Sequence, residues 1–233
     1  MQIVQTRREW LLKTASIVSG GYIFPAYDLN HSYEDCDVFV SLAKLKEHAT
    51  AGITLSMKNC FGITPATIYG MGAGTDEPSE LPKGGRLMIH SGYRQPSKSA
   101  PPEKDPHSPR DGGYRVPRVT VDLVAARPID LAIIEGIKTV AGGEGPWIQG
   151  HITPVSPGVI IAGTNPVNAD AVGMTAMGYD RMVDRGTAPF QDCDNTLRLA
   201  EEAGIGTRDV KRIEVVGTPV KDVRFDFAAT RKS

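Results

Sequence analysis

Residues 37–65 read DVFVSLAKLKEHATAGITLSMKNCFGITP, and their reading decides the fold. A short apolar run, Val38 to Leu42, has the length and composition of a buried strand. It ends in Lys44, Lys46 and His48, and a second polar pair, Lys58-Asn59, follows. Cationic and polar groups just past the end of a buried strand are where open α/β folds place ligand sites. The part from Ile53 to Phe61 fits either of two periods. Ile53, Leu55 and Met57 alternate as in a strand, whereas Ile53, Met57 and Cys60/Phe61 fit one helical face. The helix is favoured, because Lys58-Asn59 would close it and Gly62 would cap it.

Beyond this stretch, residues 64–117 hold nine of the chain's 17 prolines and many glycines. Proline removes donors and fixes the backbone, so a long irregular excursion is expected, a lid over the site loop or a subunit contact. Its charged part, RQPSKSAPPEKDPHSPRDGGYR, is too poor in apolar residues to build a core of its own. Regular structure is expected to resume at Val116, where Val119, Leu123 and Ala126 have helical spacing and Pro128 stops the helix. IDLAII (129–134) and GVIIAG (158–163) read as short buried strands. Asn165 suits a helix N-cap and Pro166 the first helical position. A further helix is expected from Asp194 to Gly204, and RIEVV (212–216) as a last strand. Short apolar strands alternating with helices predict an α/β fold: a mainly parallel sheet with flanking helices and one long irregular Pro/Gly-rich loop. The predicted organisation is a leader or N-terminal helix over 1–27 and a single α/β domain over 28–233.

Several residues carry candidate chemistry. Lys44, Lys46 and His48 could hold a carboxylate or phosphate, with Asn59 and Glu144 as further ligand-binding groups. Lys58, Glu135 and Asp170 are the candidate catalytic residues: a lysine beside the anion, and carboxylates at a strand end and on a first helical turn. Each has a plain structural alternative. The lysines would be solvated, Glu135 would end an exposed strand, and Asp170 would favour its helix dipole. Gly142-Gly143-Glu144-Gly145-Pro146 lets backbone approach a ligand, but it is neither a dinucleotide fingerprint nor a phosphate loop. No two histidines have metal-ligand spacing, so no metal is expected.

Composition narrows the classes. Formal net charge is −1, without a basic surplus, so nucleic acid is not an expected partner. No apolar stretch approaches the length of a transmembrane helix. Cys36, Cys60 and Cys193 are far apart with no Cys-x-x-Cys, so no iron–sulfur cluster is expected from this chain's cysteines. At the front, TRREWLLKTA (6–15) has the form of a twin-arginine export signal, with a weak cleavage site near Ala26. The alternative is an amphipathic helix with a solvated Arg7-Arg8 pair. The first places the protein in the periplasm or outside the cell, the second in the cytoplasm.

Taken in order, SLAKLKEH, TLSMKNCFGITP, IDLAIIEGI, GGEGP, GVIIAGTNPVNADAVGMTAMG, AEEAGIG and IEVVG resemble the bacterial and archaeal domain of unknown function 362 family over about residues 28–217. The resemblance implies a lysine–lysine–histidine loop at Lys44, Lys46 and His48 and a lysine–asparagine–glycine segment at Lys58, Asn59 and Gly62. It also implies an acidic-glycine turn at Glu135-Gly136 and a site helix carrying Asn165, Pro166 and Asp170. Asn165 stands where the family usually has aspartate. Some relatives carry ferredoxin-like clusters whose cysteines are missing here, and family domains have a larger portion before the lysine loop. The leading expectation is an enzyme-like α/β protein binding a small anionic molecule. The alternatives are a non-catalytic module or oligomer working with a separate iron–sulfur redox partner, and a truncated fragment.

Overall fold

The computed structural model describes residues 20–81, 84–145, 147 and 152–230. The TRREWLLKTA stretch lies outside the described residues. In chain order the elements are α1 (Ser32–Asp35), β1 (Val40–Lys44), β2 (Glu47–His48), β3 (Gly52–Ile53), α2 (Leu55–Asn59), α3 (Ala66–Tyr69) and α4 (Leu87–Ser91). They continue with α5 (Gly112–Ala126), β4 (Leu131–Gly136), β5 (Thr139–Ala141), β6 (Thr153–Val155), β7 (Val159–Gly163), α6 (Pro166–Ala176) and α7 (Thr196–Glu202). Two compact units are resolved: residues 1–39 with 60–128, and residues 40–59 with 129–233.

The first unit is built on α5. Asp111 caps it by accepting from the Gly113 backbone N–H, and the helix ends before Pro128. It starts earlier than the proline content predicts, because Pro117 sits in its second turn, where the lost backbone donor is a single bond. Asp122 on this helix accepts from three successive backbone N–H groups, those of Tyr22, Ile23 and Phe24, at 2.5, 2.8 and 3.1 Å. A Cβ at Gly21 would collide with that carboxylate, so the turn requires glycine. Phe24, Tyr27 and Tyr69 stack edgewise beside it, with Phe24–Tyr27 centroids 5.2 Å apart.

The proline-rich excursion buries Ile68, Tyr69, Met88 and Ile89 along α3 and α4, and its charged part is ordered by ion pairs. Glu103, buried, accepts from Arg115 Nη2 at 2.5 Å and from Arg110 Nη1 at 2.6 Å. Arg115 is fully enclosed and also reaches Ser108 Oγ at 3.1 Å. This clamp ties the excursion to α5. Gly92 has φ of 65°, and a Cβ there would strike the Arg115 guanidinium.

In the second unit the sheet order is β1-β4-β7. β1 and β4 run parallel, with Val40 opposite Leu131 and Lys44 opposite Glu135. β4 and β7 run antiparallel, with Ala132 opposite Gly163 and Gly136 opposite Val159. The sheet is therefore mixed, which corrects the mainly parallel expectation. The physical reason is that β7 returns through the short antiparallel pair β5–β6 rather than through a crossover helix. α2 packs on β1 and β4, and α6 packs on β4 and β7, so both helices cover one face of the sheet. On the other face Leu42 and Ile160 stay exposed.

α6 forms as its sequence predicts: Asn165 accepts from the Asn168 N–H and Pro166 takes the first turn. RIEVV forms no strand. Val210–Arg212 is a single 3-10 turn with Asp209 as its cap, and the residues after it stay outside the sheet, with Val216 exposed. Among the described residues, no helix is long and apolar enough to cross a membrane.

Replacing Glu103 by Ala strands the enclosed Arg115 charge. The expected loss of stability is about 3–5 kcal/mol, read as a lower urea midpoint. A loss below about 1 kcal/mol would be that of a solvated surface pair instead.

Candidate functional site

β1 and β4, the parallel pair, end side by side at Lys44 and Glu135. Their side chains form an ion pair across the register. Lys44 Nζ also donates to the Lys138 carbonyl at 2.9 Å. Glu135 Oε1 accepts from the Ile137 and Lys138 N–H groups, so this carboxylate both pairs a lysine and closes the turn after β4. Past Lys44 the chain enters the tight β2–β3 hairpin. Its reversal needs Gly52, which has φ of 71° and lies against the Phe190 ring where no Cβ fits.

That hairpin aims two side chains at Glu144, one at its backbone and one at its carboxylate. Lys46 Nζ donates to the Glu144 carbonyl at 2.5 Å. His48 Nε2 lies 2.6 Å from Glu144 Oε2. The approach is not linear, so the contact sets a ring N–H edge against the carboxylate off the ideal hydrogen-bond line. The Thr50 N–H donates to His48 Nδ1 at 3.2 Å, which makes Nδ1 the acceptor and puts the ring's proton on Nε2, facing Glu144. Burial is the main influence on His48 and lowers its pKa, so the ring is neutral near pH 7. Burial likewise lowers that of Lys46, partly offset by the charge of Glu144. The His48 contact, with a smaller pull from Lys58, brings Glu144 down to about 2, an ionised carboxylate at any physiological pH. Lys58 is buried, and its charge is felt at both His48 and Glu144.

The structure therefore brings together Lys44, Lys46, His48, Lys58, Glu135 and Glu144. Asn59 and Asp170 sit elsewhere. Asn59 Nδ2 donates to Ser41 Oγ at 3.2 Å and to the Leu42 carbonyl at 3.3 Å, which ties α2 to β1. Asp170, buried on α6, accepts from Ser56 N, Ser56 Oγ and Met57 N at 2.8, 2.5 and 3.0 Å. These bonds serve the first turn of α2. Burial nevertheless pushes the carboxyl up to about 7 against the pull of the three donors.

A shallow groove of about 360 Å³ opens at the cluster, lined by Lys44, Lys46, Lys138, Thr139, Glu144 and Trp147, among others. A larger groove of about 690 Å³ lies between β7, α6 and residues 212–223. It holds none of the lysines, the histidine or the acidic residues singled out in the sequence, so the smaller groove is the candidate site. Among the described residues no group of three or more His, Cys, Asp or Glu could hold a metal ion.

Two contributors escaped the reading of the sequence. Glu47, buried, binds the Tyr179 hydroxyl and the Gly142 N–H. It fixes the glycine turn that delivers Glu144. Trp147 stands in the groove wall. The one signal for Glu47 was its place inside the KLKEH run, and nothing in the sequence pointed to Tyr179.

Asp170 and Glu144, two shifted carboxyls of this unit, give opposite pH dependences. A carboxyl raised on folding adds stability below its unfolded value, near 3.8 for Asp170, and loses it as pH climbs through about 7. Glu144, depressed from 4.5 to about 2, adds stability above 4.5 and loses it as pH falls toward 2. The Asp170 contribution should accordingly fall between pH 5 and pH 7, while the lowered His48 works in the opposite direction below 6.5. Asp170→Asn should lower stability at pH 5 by roughly 1–3 kcal/mol, and the difference between wild type and variant in urea midpoint should shrink as pH rises from 5 to 8. A difference that grows over the same range contradicts the assignment.

Comparison with curated proteins gave no match, and comparison with solved structures gave none. A family model described as "Domain of unknown function (DUF362)" matches residues 3–175. The match takes in the TRREWLLKTA stretch and every residue of the cluster, and leaves AEEAGIG and IEVVG beyond its end. The lysine–lysine–histidine loop and the lysine–asparagine segment thus lie within a family-wide match over most of the sequence, and the chain belongs to the DUF362 family.

Proposed function

We propose that this protein binds a small anion, a carboxylate or phosphate, in the groove at the carboxyl ends of β1 and β4. The observation that carries the reading is that Lys44 and Lys46 line the groove beside Glu144, whose carboxylate is held by His48 and feels the charge of Lys58. An ammonium carries three N–H donors. The described bonds use two on Lys44 and one on Lys46, so both lysines keep donors for a ligand that enters the groove. Strand ends of this kind are the ligand position of open α/β sheets.

Acid–base roles follow from the same geometry. A general base works best with a pKa near the operating pH. Glu144 at about 2 is far below it, and His48 has Nδ1 engaged by Thr50 and Nε2 turned to Glu144. As placed, each is engaged by the other rather than free to take a proton. Any proton transfer on a bound ligand therefore requires the ligand to displace Glu144 from His48. Binding is the primary activity on this reading, and catalysis would follow from that displacement.

Calorimetric titration with inorganic phosphate and with acetate tests it. Saturable binding is expected for the wild type, weakened about tenfold or more in Lys46→Met, as the loss of one charge-assisted hydrogen bond implies. Circular dichroism of the variant should be unchanged. Absence of saturable binding by either anion to the wild type, or equal affinity in Lys46→Met, would remove the proposal.

A further inference from the structure

Trp147 is 68% exposed, and it borders the groove together with Lys44, Lys46 and Lys138. Its indole is held rather than loose. Its six-membered ring lies so close to Gly145 that a Cβ at that position would overlap it. Its Nε1 points to Glu144 Oε1 at 3.4 Å. Lys46 Nζ is 5.8 Å from the ring centroid, within cation–π range but beyond van der Waals contact, so it does not cover the ring. A large apolar ring, backed by glycine and aimed by a carboxylate, is thus presented beside two lysines that retain donors.

We infer that the ligand of this groove is an aromatic anion: a planar ring that stacks on the exposed indole face, carrying a carboxylate or phosphate that reaches Lys44 and Lys46. The inference rests on the anion-binding reading above and narrows its ligand class. Stacked aromatic pairs gain energy beyond the area that they bury. The volume of about 360 Å³ suits one ring with a charged substituent. Gly145 has a definite role on this view: any side chain there would lift the indole away from its support. Lys46 is placed to serve both parts of the ligand, since its ammonium lies near the ring and near the Glu144 carbonyl.

The test uses the full chain and three probes that share one charged group: inorganic phosphate, methyl phosphate and phenyl phosphate. Titration calorimetry should show phenyl phosphate binding about tenfold tighter than methyl phosphate, the scale expected of one aromatic stack. In Trp147→Leu that ratio should collapse to about twofold or less, and in Lys46→Met all three should weaken together. Equal affinities for phenyl and methyl phosphate in the wild type overturn the aromatic inference and leave the anion site standing. A preference for the phenyl ester that survives in Trp147→Leu also overturns it, because the ring would then lie elsewhere. No saturable binding of any of the three phosphates overturns this inference; the anion-binding reading falls as well if acetate also fails to bind.

Discussion

The Asp170 carboxylate takes hydrogen bonds from the Ser56 N–H, the Met57 N–H and the Ser56 hydroxyl, and the second unit is organised around that contact. α2 has only five residues, far too few to persist as an isolated helix. It also begins badly, because Leu55 has φ of 42°, a conformation that costs a side-chain-bearing residue energy. Asp170 supplies the partners that the first turn lacks, and complete burial of the Leu55 side chain offsets part of the strain. Once α2 is fixed to α6, its other bonds fall into place. Ser41 Oγ on β1 donates to the Ser56 carbonyl at 2.9 Å, and Asn59 reaches back to the same strand. Lys58 is thereby presented to the lysine loop by a helix that is anchored at both ends.

The crowding of Lys44, Lys46, Lys58 and His48 would be repulsive without counter-charge. Two carboxylates provide it, and a third holds one of them in place. Glu135 pairs directly with Lys44, and Glu144 faces His48 within the field of Lys46 and Lys58. Glu47 is spent on the Tyr179 hydroxyl and the Gly142 N–H, holding the turn that brings Glu144 inward. Burial meanwhile lowers the pKa of His48, which keeps one of the four groups neutral near pH 7. The result is a cluster whose cations are largely matched by carboxylates.

Local chemistry was legible in the sequence, and long-range pairing was not. Asn165-Pro166 announced the start of α6, Pro128 the end of α5, and Lys58-Asn59 the close of α2, because each acts through its own backbone or its nearest turn. The cluster was legible as far as it lay in the KLKEH run, at Glu135 and at Glu144. RIEVV misled because an apolar, β-branched composition permits a strand without requiring one; it lies across a groove from the edge strand β7 without pairing to it. The proline-rich excursion misled for the opposite reason. The order of its charged part comes from Glu103 with Arg110 and Arg115, a buried pairing that a measure of apolar content cannot register. Asp170 could be read as a carboxylate on a first helical turn, but the Ser56 and Met57 donors that occupy it come from a distant part of the chain.

The direction of β7 was the larger misreading, and it is what builds the site. A third parallel strand would have needed a crossover that carries the chain back to the opposite end of the sheet. The antiparallel return needs none. The Gly158 N–H closes directly on the Gly136 carbonyl at 3.0 Å, so the residues between β4 and β7 are free to remain at the end where β4 stops. They form the β5–β6 pair there, in register from Thr139 opposite Val155 to Ala141 opposite Thr153. The connection between those two strands carries Glu144, Gly145 and Trp147. Thr139 Oγ1 anchors this pair to the Leu45 carbonyl at 2.8 Å, within the lysine loop itself. The carboxylate that gathers the cations and the aromatic wall of the groove are thus both consequences of one strand that runs against its neighbour.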